Sequence, residues 1–357
     1  MNELELTFAT KAYDRVVPVI SGEVEPEGVS LRYVGPRSSP DIFYDQLKFQ
    51  RYDISEMSFS SYLRVRAKGW PYSLLPVFHH RTYAYASMLI RKGSGIRQNH
   101  PEDLKGKQVG LADYQQTAGL CGRGILQHEF GVKPTDMTWY QERSPQRSHG
   151  GASGMTPPKN LDFHYAEADF GTMFDQGELD AVIHQPHTSS VMDRTDLIRH
   201  PKALPLFSDP RKECFRYYRK SGVLPAHHVT VIRDSILQEH PWVSAALVNA
   251  FEQAKQLAEE RRREQLLQLP AAGSLTLFSE FLVRDQDKTF GGDPYPYGIQ
   301  NNAEMIDLLQ TFSVEQGLTS AKQPWQEMFP EELLLMENIS LKRPAAKTRS
   351  ATPRKRK

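Results

Sequence analysis

Two stretches of this chain hold residues whose types and spacing suit acid–base and anion chemistry. Residues 53–63, DISEMSFSSYL, carry Asp53 at their start, then Glu56 among hydroxyls at Ser55, Ser58, Ser60 and Ser61. A buried glutamate whose surroundings shift its pKa can carry a proton. Serines at a helix start either cap it or donate to a bound carboxylate, and Ser58 and Ser60 suit both readings. Residues 105–126, KGKQVGLADYQQTAGLCGRGIL, order a short apolar run, a polar loop and a helical pattern. Thr117 can cap that helix. A strand, a tight loop and a helix N-terminus aim free backbone N–H groups at whatever sits above the strand, which favours a carboxylate or phosphate. Such a pocket would be lined by Tyr114, Gln115 and Thr117; the plain alternative is a crossover that binds nothing.

Further along, His227 and His228 stand at the start of an expected strand within residues 223–233. His184 and His187 follow a buried strand over residues 179–183. Two histidines three apart can ligate a metal, but Pro186 lies between them and no third ligand is evident, so a pocket-lining histidine is the better reading and no metal is expected. Arg15 sits just past an alternating strand over residues 4–9, where sheet proteins place ligand groups; from pattern alone a surface arginine accounts for it as well. Residues 209–222, dense in Arg, Lys and Tyr, read as a solvated basic helix.

The elements that must position these groups alternate strand with helix, which predicts an α/β fold rather than an all-α one. Residues 73–78 and 83–90 read as strands, residues 141–159 as a long mobile loop, and Val243, Leu247, Ala250, Phe251, Ala254 and Leu257 as the core stripe of a long helix. The chain leaves one strand–helix set near residue 95 and returns near residue 226. That predicts two lobes: residues 1–94 with 226–335, and residues 95–225, followed by a C-terminal end, residues 336–357, that finishes in a basic tail. A ligand would lie in the cleft between the lobes, at strand C-termini and helix N-termini.

Composition narrows the class. The 357 residues suffice for two lobes with real cores. Eight of the 44 Lys/Arg fall in residues 340–357, which hold no acid, so the rest of the chain carries a net −7. An acidic body argues against specific nucleic-acid binding. The tail matches a bipartite nuclear-import pattern, and also an ordinary solvated tail. Two cysteines make no disulfide framework. The first residues lack a secretory signal pattern and no run approaches a membrane span, so a cytoplasmic setting is expected, with self-association left open.

With these residues in place, the chain resembles the 4,5-dihydroxyphthalate decarboxylase family, enzymes with the fold of type II periplasmic binding proteins. The resemblance covers residues 4–335. It rests on Tyr13-Asp14-Arg15, on residues 53–58 with 60–63, on Val109-Gly110 through Thr117-Ala118, and on Asp209-Pro210-Arg211, Tyr217-Tyr218, Pro225 with His228, His240-Pro241-Trp242 and Pro296-Tyr297-Gly298. Two departures fall at strand ends expected to line the cleft. Ala84-Tyr85-Ala86 stands where the family pattern has Arg-His-Ser, and His184-Gln185-Pro186 where it has Ser-Pro-Arg.

The resemblance implies a cofactor-independent decarboxylation of a hydroxylated phthalate-type acid to a protocatechuate-like product. Such chemistry needs a proton donor near the ring carbon, an acceptor for the phenol and a clamp for the second carboxylate. On that reading Arg15, Ser58, Ser60, Tyr114, Gln115 and Thr117 hold carboxylates. Glu56 and His228 carry protons, Tyr217 and Tyr297 contact the ring or its hydroxyls, and His184 replaces a lost family group. The alternative is a non-catalytic cytosolic binding protein for a small aromatic or organic acid. Aromatic sulfinate desulfinases, on the same fold, use a cysteine near the N-terminus, whereas the first cysteine here is Cys121.

Overall fold

The structure is a computed structural model that describes residues 3–35, 37–183, 197–268 and 279–339. His184, Gln185, Pro186, His187 and the basic tail lie outside the described residues, and with them one of the two departures from the family pattern.

Among the described residues, eleven strands form two sheets. They are β1 (Leu4–Ala9), β2 (Val29–Tyr33), β3 (Ile54–Ser58), β4 (Tyr72–Phe78), β5 (Leu89–Arg91), β6 (Gln108–Leu111), β7 (Thr138–Gln141), β8 (Asp162–Tyr165), β9 (Ala181–Ile183), β10 (Ala203–Pro205) and β11 (His228–Arg233). The first sheet has the order β2-β1-β3-β11-β4, the second β10-β5-β9-β6-β7-β8. In the first, β1 runs parallel to β2 and β3, while β11 returns antiparallel between β3 and β4. In the second, β9, β6, β7 and β8 are parallel, and β5 and β10 close one edge antiparallel.

Both faces of the first sheet are covered, so β3 and β4 are buried along their whole length. A strand buried on both faces should be apolar throughout, and Glu56 is the ionisable residue that breaks this rule in β3. Helix Val243–Gln268 lays its expected stripe on the core: Val243, Leu247, Ala250, Phe251 and Ala254 are buried. Helix Ala303–Glu315 packs on helix Thr117–Phe130 so closely that a Cβ on Gly124 would overlap the Phe312 ring, which ties the return segment to the second sheet.

Three local expectations are corrected. Residues 83–90 are not one strand: Ala84–Ser87 is a 3-10 turn, and β5 alone pairs, in the second sheet rather than the first. The fully buried Tyr83 and Tyr85 pack edge-on against Tyr217, and that packing overrides the alternating pattern. Residues 141–159 are not an open loop. Helix His149–Ser153 lies within them, and Gln141, Glu142, Arg143, Ser148 and His149 are buried. Thr117 is the first helical residue and not the cap, which is Gln116 with no side-chain cap bond.

Candidate active site

The parallel strands of both sheets point their C-terminal ends at one junction, and the helices that follow β3 and β6 start there. Helix Phe59–Arg66 begins right after β3, with Ser58 at its N-cap, and helix Thr117–Phe130 begins after the loop that leaves β6. Neither start is capped by its own side chain. The hydroxyls act across the junction instead: Ser58 Oγ and Thr117 Oγ1 are 3.0 Å apart, and the Ser60 N–H donates to Thr117 Oγ1 at 3.0 Å. Two helix N-termini therefore face one point. Each favours an anion by about 0.3–1 kcal/mol, more where water is excluded.

A small cavity lies at this point, lined by Pro40, Phe43, Ser58, Gln116, Thr117, Ala118, Arg143, His149, His227 and His228. Its volume of ≈ 20 Å³ is room for about one water. Phe43 forms an apolar wall, edge-on to His228 at 4.8 Å and to His149 at 5.7 Å between ring centroids.

Behind His228 stands Glu56, fully buried and saturated with donors. Its Oε1 accepts from His228 Nδ1 at 2.5 Å, Tyr13 Oη at 2.6 Å and Ser39 Oγ at 3.2 Å. Its Oε2 accepts from the Lys11 N–H at 2.9 Å and Thr10 Oγ1 at 3.1 Å. Burial alone would raise the Glu56 pKa. The His228 hydrogen bond and charge, the nearby His79 and the Lys11 N–H outweigh it and hold the carboxyl below the usual range. Burial and the Glu56 charge push Tyr13 well up, so its hydroxyl keeps its proton and donates. An ionised Glu56 can only accept, so His228 Nδ1 carries a hydrogen and Nε2 is the nitrogen left for the cavity.

The pairing of β11 with its neighbours fixes this geometry. His228 faces Ser58 in register across β3, and Thr230 faces Glu56. At the same strand ends the His79 N–H donates to the His228 carbonyl and the His227 N–H to the His80 carbonyl. His79 is fully buried, with Nε2 2.7 Å from Thr230 Oγ1, and burial depresses its pKa to about 3. Among the described residues no group of three or more His, Cys, Asp or Glu could hold a metal ion.

On the opposite wall, Arg143 Nη1 lies 3.2 Å from His149 Nε2, and His149 Nδ1 lies 3.0 Å from Ser61 Oγ. Arginine only donates, so His149 Nε2 accepts and its Nδ1–H donates to Ser61. The Asp113 carboxylate takes the backbone N–H groups of Gln115 and His149 and stands 3.8 Å from Arg143. Gly150 is required beside them, because a Cβ there would overlap the Gln115 amide and the Met155 carbonyl.

Of the residues singled out from sequence, Ser58, Thr117 and His228 line the cavity, Glu56 touches His228 from behind, and Ser60 joins through its N–H. The others stand elsewhere. Tyr114 is stacked under the Arg123 guanidinium at 3.6 Å and packs on Trp139 and Phe163, inside the second lobe. Gln115 turns its amide to the Met155 carbonyl at 3.2 Å, and Gln116 takes its place on the wall. Arg15 packs behind Tyr13 and over the Tyr295 ring. Tyr297, buried beneath Lys255, and Tyr217, packed on Tyr83 and Tyr85, are not on this wall. His184 lies outside the described residues. Sequence reasoning missed Gln116, Arg143, His149 and His227 as wall residues. Arg143 follows the C-terminal end of β7, so the rule that drew attention to the loop after β6 applies to it equally.

The order of the first sheet, with a returning strand antiparallel inside it, and the second mixed sheet beside it define a two-lobed type II periplasmic-binding-protein fold. A periplasmic aliphatic sulphonate-binding protein of Escherichia coli superposes with a TM-score of 0.52 at 14% identity, over 94% of this chain and 99% of that one. A sulfonate-binding protein of Methylobacillus flagellatus gives 0.52 at 12% identity, over 94% of each chain. No family model matches. A 4,5-dihydroxyphthalate decarboxylase of Comamonas testosteroni is 33% identical over 340 residues, 92% of this chain and 97% of that protein. Its counterpart from Pseudomonas putida is 33% identical over 222 residues, 61% of this chain and 83% of that protein. The chain belongs to the 4,5-dihydroxyphthalate decarboxylase family.

Proposed function

We propose that this protein is a carboxy-lyase that removes one carboxylate from 4,5-dihydroxyphthalate as CO2, leaving 3,4-dihydroxybenzoate. The observation that carries the reading is the Glu56–His228 pair, opening onto a cavity faced by two helix N-termini and Arg143. Family membership supplies the substrate. Each carboxylate of this substrate has a hydroxyl para to it. A ring carbon bearing the carboxylate can therefore accept a proton while the para oxygen takes up the electron demand. The carbon–carbon bond then breaks, its electron pair restores the aromatic ring, and CO2 leaves; the net reaction consumes one proton.

His228 Nε2 delivers the proton to the ring carbon. Glu56 does not reach the cavity and acts as a positioning residue: it fixes the ring and balances the imidazolium charge. The retained carboxylate sits against Arg143 and the helix starts at Ser58 and Gln116, a charge-assisted arrangement in a dry site. Closure of the lobes over the ligand strips water from the departing carboxylate, which favours neutral CO2. Because the cavity holds about one water, the lobes part to admit an aromatic diacid and close over it. Among the described residues no helix is long and apolar enough to cross a membrane.

Incubation with 4,5-dihydroxyphthalate, followed by chromatography and CO2 capture, tests the reading. Equimolar 3,4-dihydroxybenzoate and CO2 are expected, and His228→Ala should lower kcat by on the order of 10²–10⁴-fold. Absence of turnover by the unaltered protein, or full turnover by His228→Ala, would overturn it.

A further inference from the structure

His227 is the wall residue whose chemistry the scheme above leaves unused. Its ring is 1% exposed and lines the cavity, and neither Nδ1 nor Nε2 has a hydrogen-bond partner. Its backbone is fully engaged: the N–H donates to the His80 carbonyl at 2.7 Å, and the carbonyl accepts from Phe59 at 3.0 Å. Of the other wall side chains, Ser58 is engaged with Thr117, His149 with Ser61 and Arg143, and His228 with Glu56, while Gln116 Nε2 also lacks a partner but is a donor only. A buried polar group left unpaired costs about 1–3 kcal/mol, so an imidazole unpaired at both nitrogens on a binding wall calls for a ligand partner.

From this geometry we infer that His227 is the acceptor for the substrate's phenolic hydroxyl, the base that complements His228 as the acid. The inference rests on the decarboxylase reading and assigns the reaction's second proton. The rings of His227 and His228 flank that of His80, at 5.4 and 5.1 Å between centroids, so they occupy separate places along one wall. Their surroundings keep the two rings in different states. His228 is backed by a carboxylate. His227 is fully buried, and burial, reinforced by His80 and His228, lowers its pKa well below the ordinary value, while the Thr82 backbone works weakly in the other direction. At neutral pH the ring is therefore uncharged and keeps a lone pair.

The protons and electrons balance across the two histidines. His227 takes the phenolic proton as the ring oxygen becomes a carbonyl, and the ring electrons displaced by that change accept the His228 proton at the carbon bearing the carboxylate. When CO2 leaves, the carbon–carbon bond pair restores the ring and His227 returns its proton to the oxygen. His228 is reprotonated from solvent. Substrates without a hydroxyl para to the carboxylate give His227 nothing to accept and are bound but not turned over.

The test compares His227→Leu and His227→Ala with the unaltered protein. Two quantities are read: kcat on 4,5-dihydroxyphthalate, and the ratio of Kd for phthalate to Kd for 4,5-dihydroxyphthalate by calorimetry. Both variants should lose at least 100-fold in kcat. The Kd ratio should fall at least tenfold, because only the hydroxylated ligand loses a contact while phthalate affinity stays within threefold. Should His227→Ala fail to fold, His227→Leu carries the comparison, since its side chain fills most of the volume and accepts no hydrogen bond. Turnover at the unaltered rate, or equal loss of affinity for both ligands, would overturn the assignment. If the unaltered protein binds 4,5-dihydroxyphthalate without releasing CO2, the decarboxylase reading falls, yet the Kd ratio still decides whether His227 reads the hydroxyl.

Discussion

At the residue scale, the site turns on what Glu56 can and cannot do. Five donors converge on its two oxygens within hydrogen-bond distance, and no part of it borders the cavity. On the proposed scheme it orients His228 without exchanging protons with a ligand. Glu56→Gln keeps the shape and removes the charge, and its amide would present an N–H toward donors that need an acceptor. The expected result is a kcat lowered by on the order of 10²–10⁴-fold with KM within threefold, measured by steady-state kinetics. A raised KM at unchanged kcat would instead place Glu56 in ligand binding. Arg143 should behave in the opposite way. Lysine cannot reproduce a planar fork of donors, so Arg143→Lys should raise KM by roughly 10–100-fold, about 1.4–2.8 kcal/mol of binding, with a smaller change in kcat.

At the element scale, the junction is built from two helix starts that share their hydroxyls. Ser58 occupies an N-cap position and Thr117 the first turn, yet neither caps its own helix. Thr117 Oγ1 instead serves Ser58 Oγ and the Ser60 N–H across the junction. Ser61 to His149, and Arg64 Nη2 to the Thr156 carbonyl at 3.1 Å, extend the same seam. Thr117→Val preserves the volume and leaves a buried N–H and a buried hydroxyl unpaired. It should cost about 1–3 kcal/mol of stability, read as a lower urea midpoint at constant m-value, and Thr117→Ser should restore most of it. Equal midpoints for Val and Ser at this position would show that the bridging hydroxyl contributes nothing.

At the scale of the whole molecule, the buried histidines give stability a pH dependence of known sign. Burial depresses the pKa of His79 to about 3, and that of His227 also falls well below its ordinary 6.5. Above about pH 6.5 both are neutral whether the chain is folded or unfolded, and the full stability is present. Below it the unfolded chain takes up protons that the folded chain refuses, until pH falls through the folded pKa values. Stability should therefore decline as pH drops from 6.5 toward 3, by up to about 1.4 kcal/mol per pH unit for each histidine. Glu56, with its pKa depressed in the fold, adds to the loss only once pH falls below its unfolded value of 4.5. Urea midpoints at pH 7.5, 6.0 and 5.0 check this. A flat profile would mean that the histidines are solvated, and His79→Gln should reduce the slope by one histidine's share.

Much of this molecule was legible in the residues themselves. Alternating β and α patterns announce an α/β chain, because periodicity is a local feature; the crossing to the second sheet comes before residue 95, since β5 already pairs there. Glu56 stood out as a carboxylate in an otherwise apolar strand, and Thr117 as a polar residue at a helix start. Composition could not say which side of a loop faces the junction. Tyr114 and Gln115 are drawn into the second lobe by Arg123, Trp139 and Met155, and Gln116 is left on the wall. Residues 141–159 looked mobile because Gly, Ser, Pro and Arg are what loops contain. Only packing against Asp113 and Gln115 buries Arg143 and His149 there. Sequence fixes which chemical groups exist and which strands and helices carry them, through short-range periodicity. Partnership among those groups is decided by long-range register, here β11 set between β3 and β4, and so only the folded chain reveals that His228 meets Glu56 while its neighbour His227 is left unpaired.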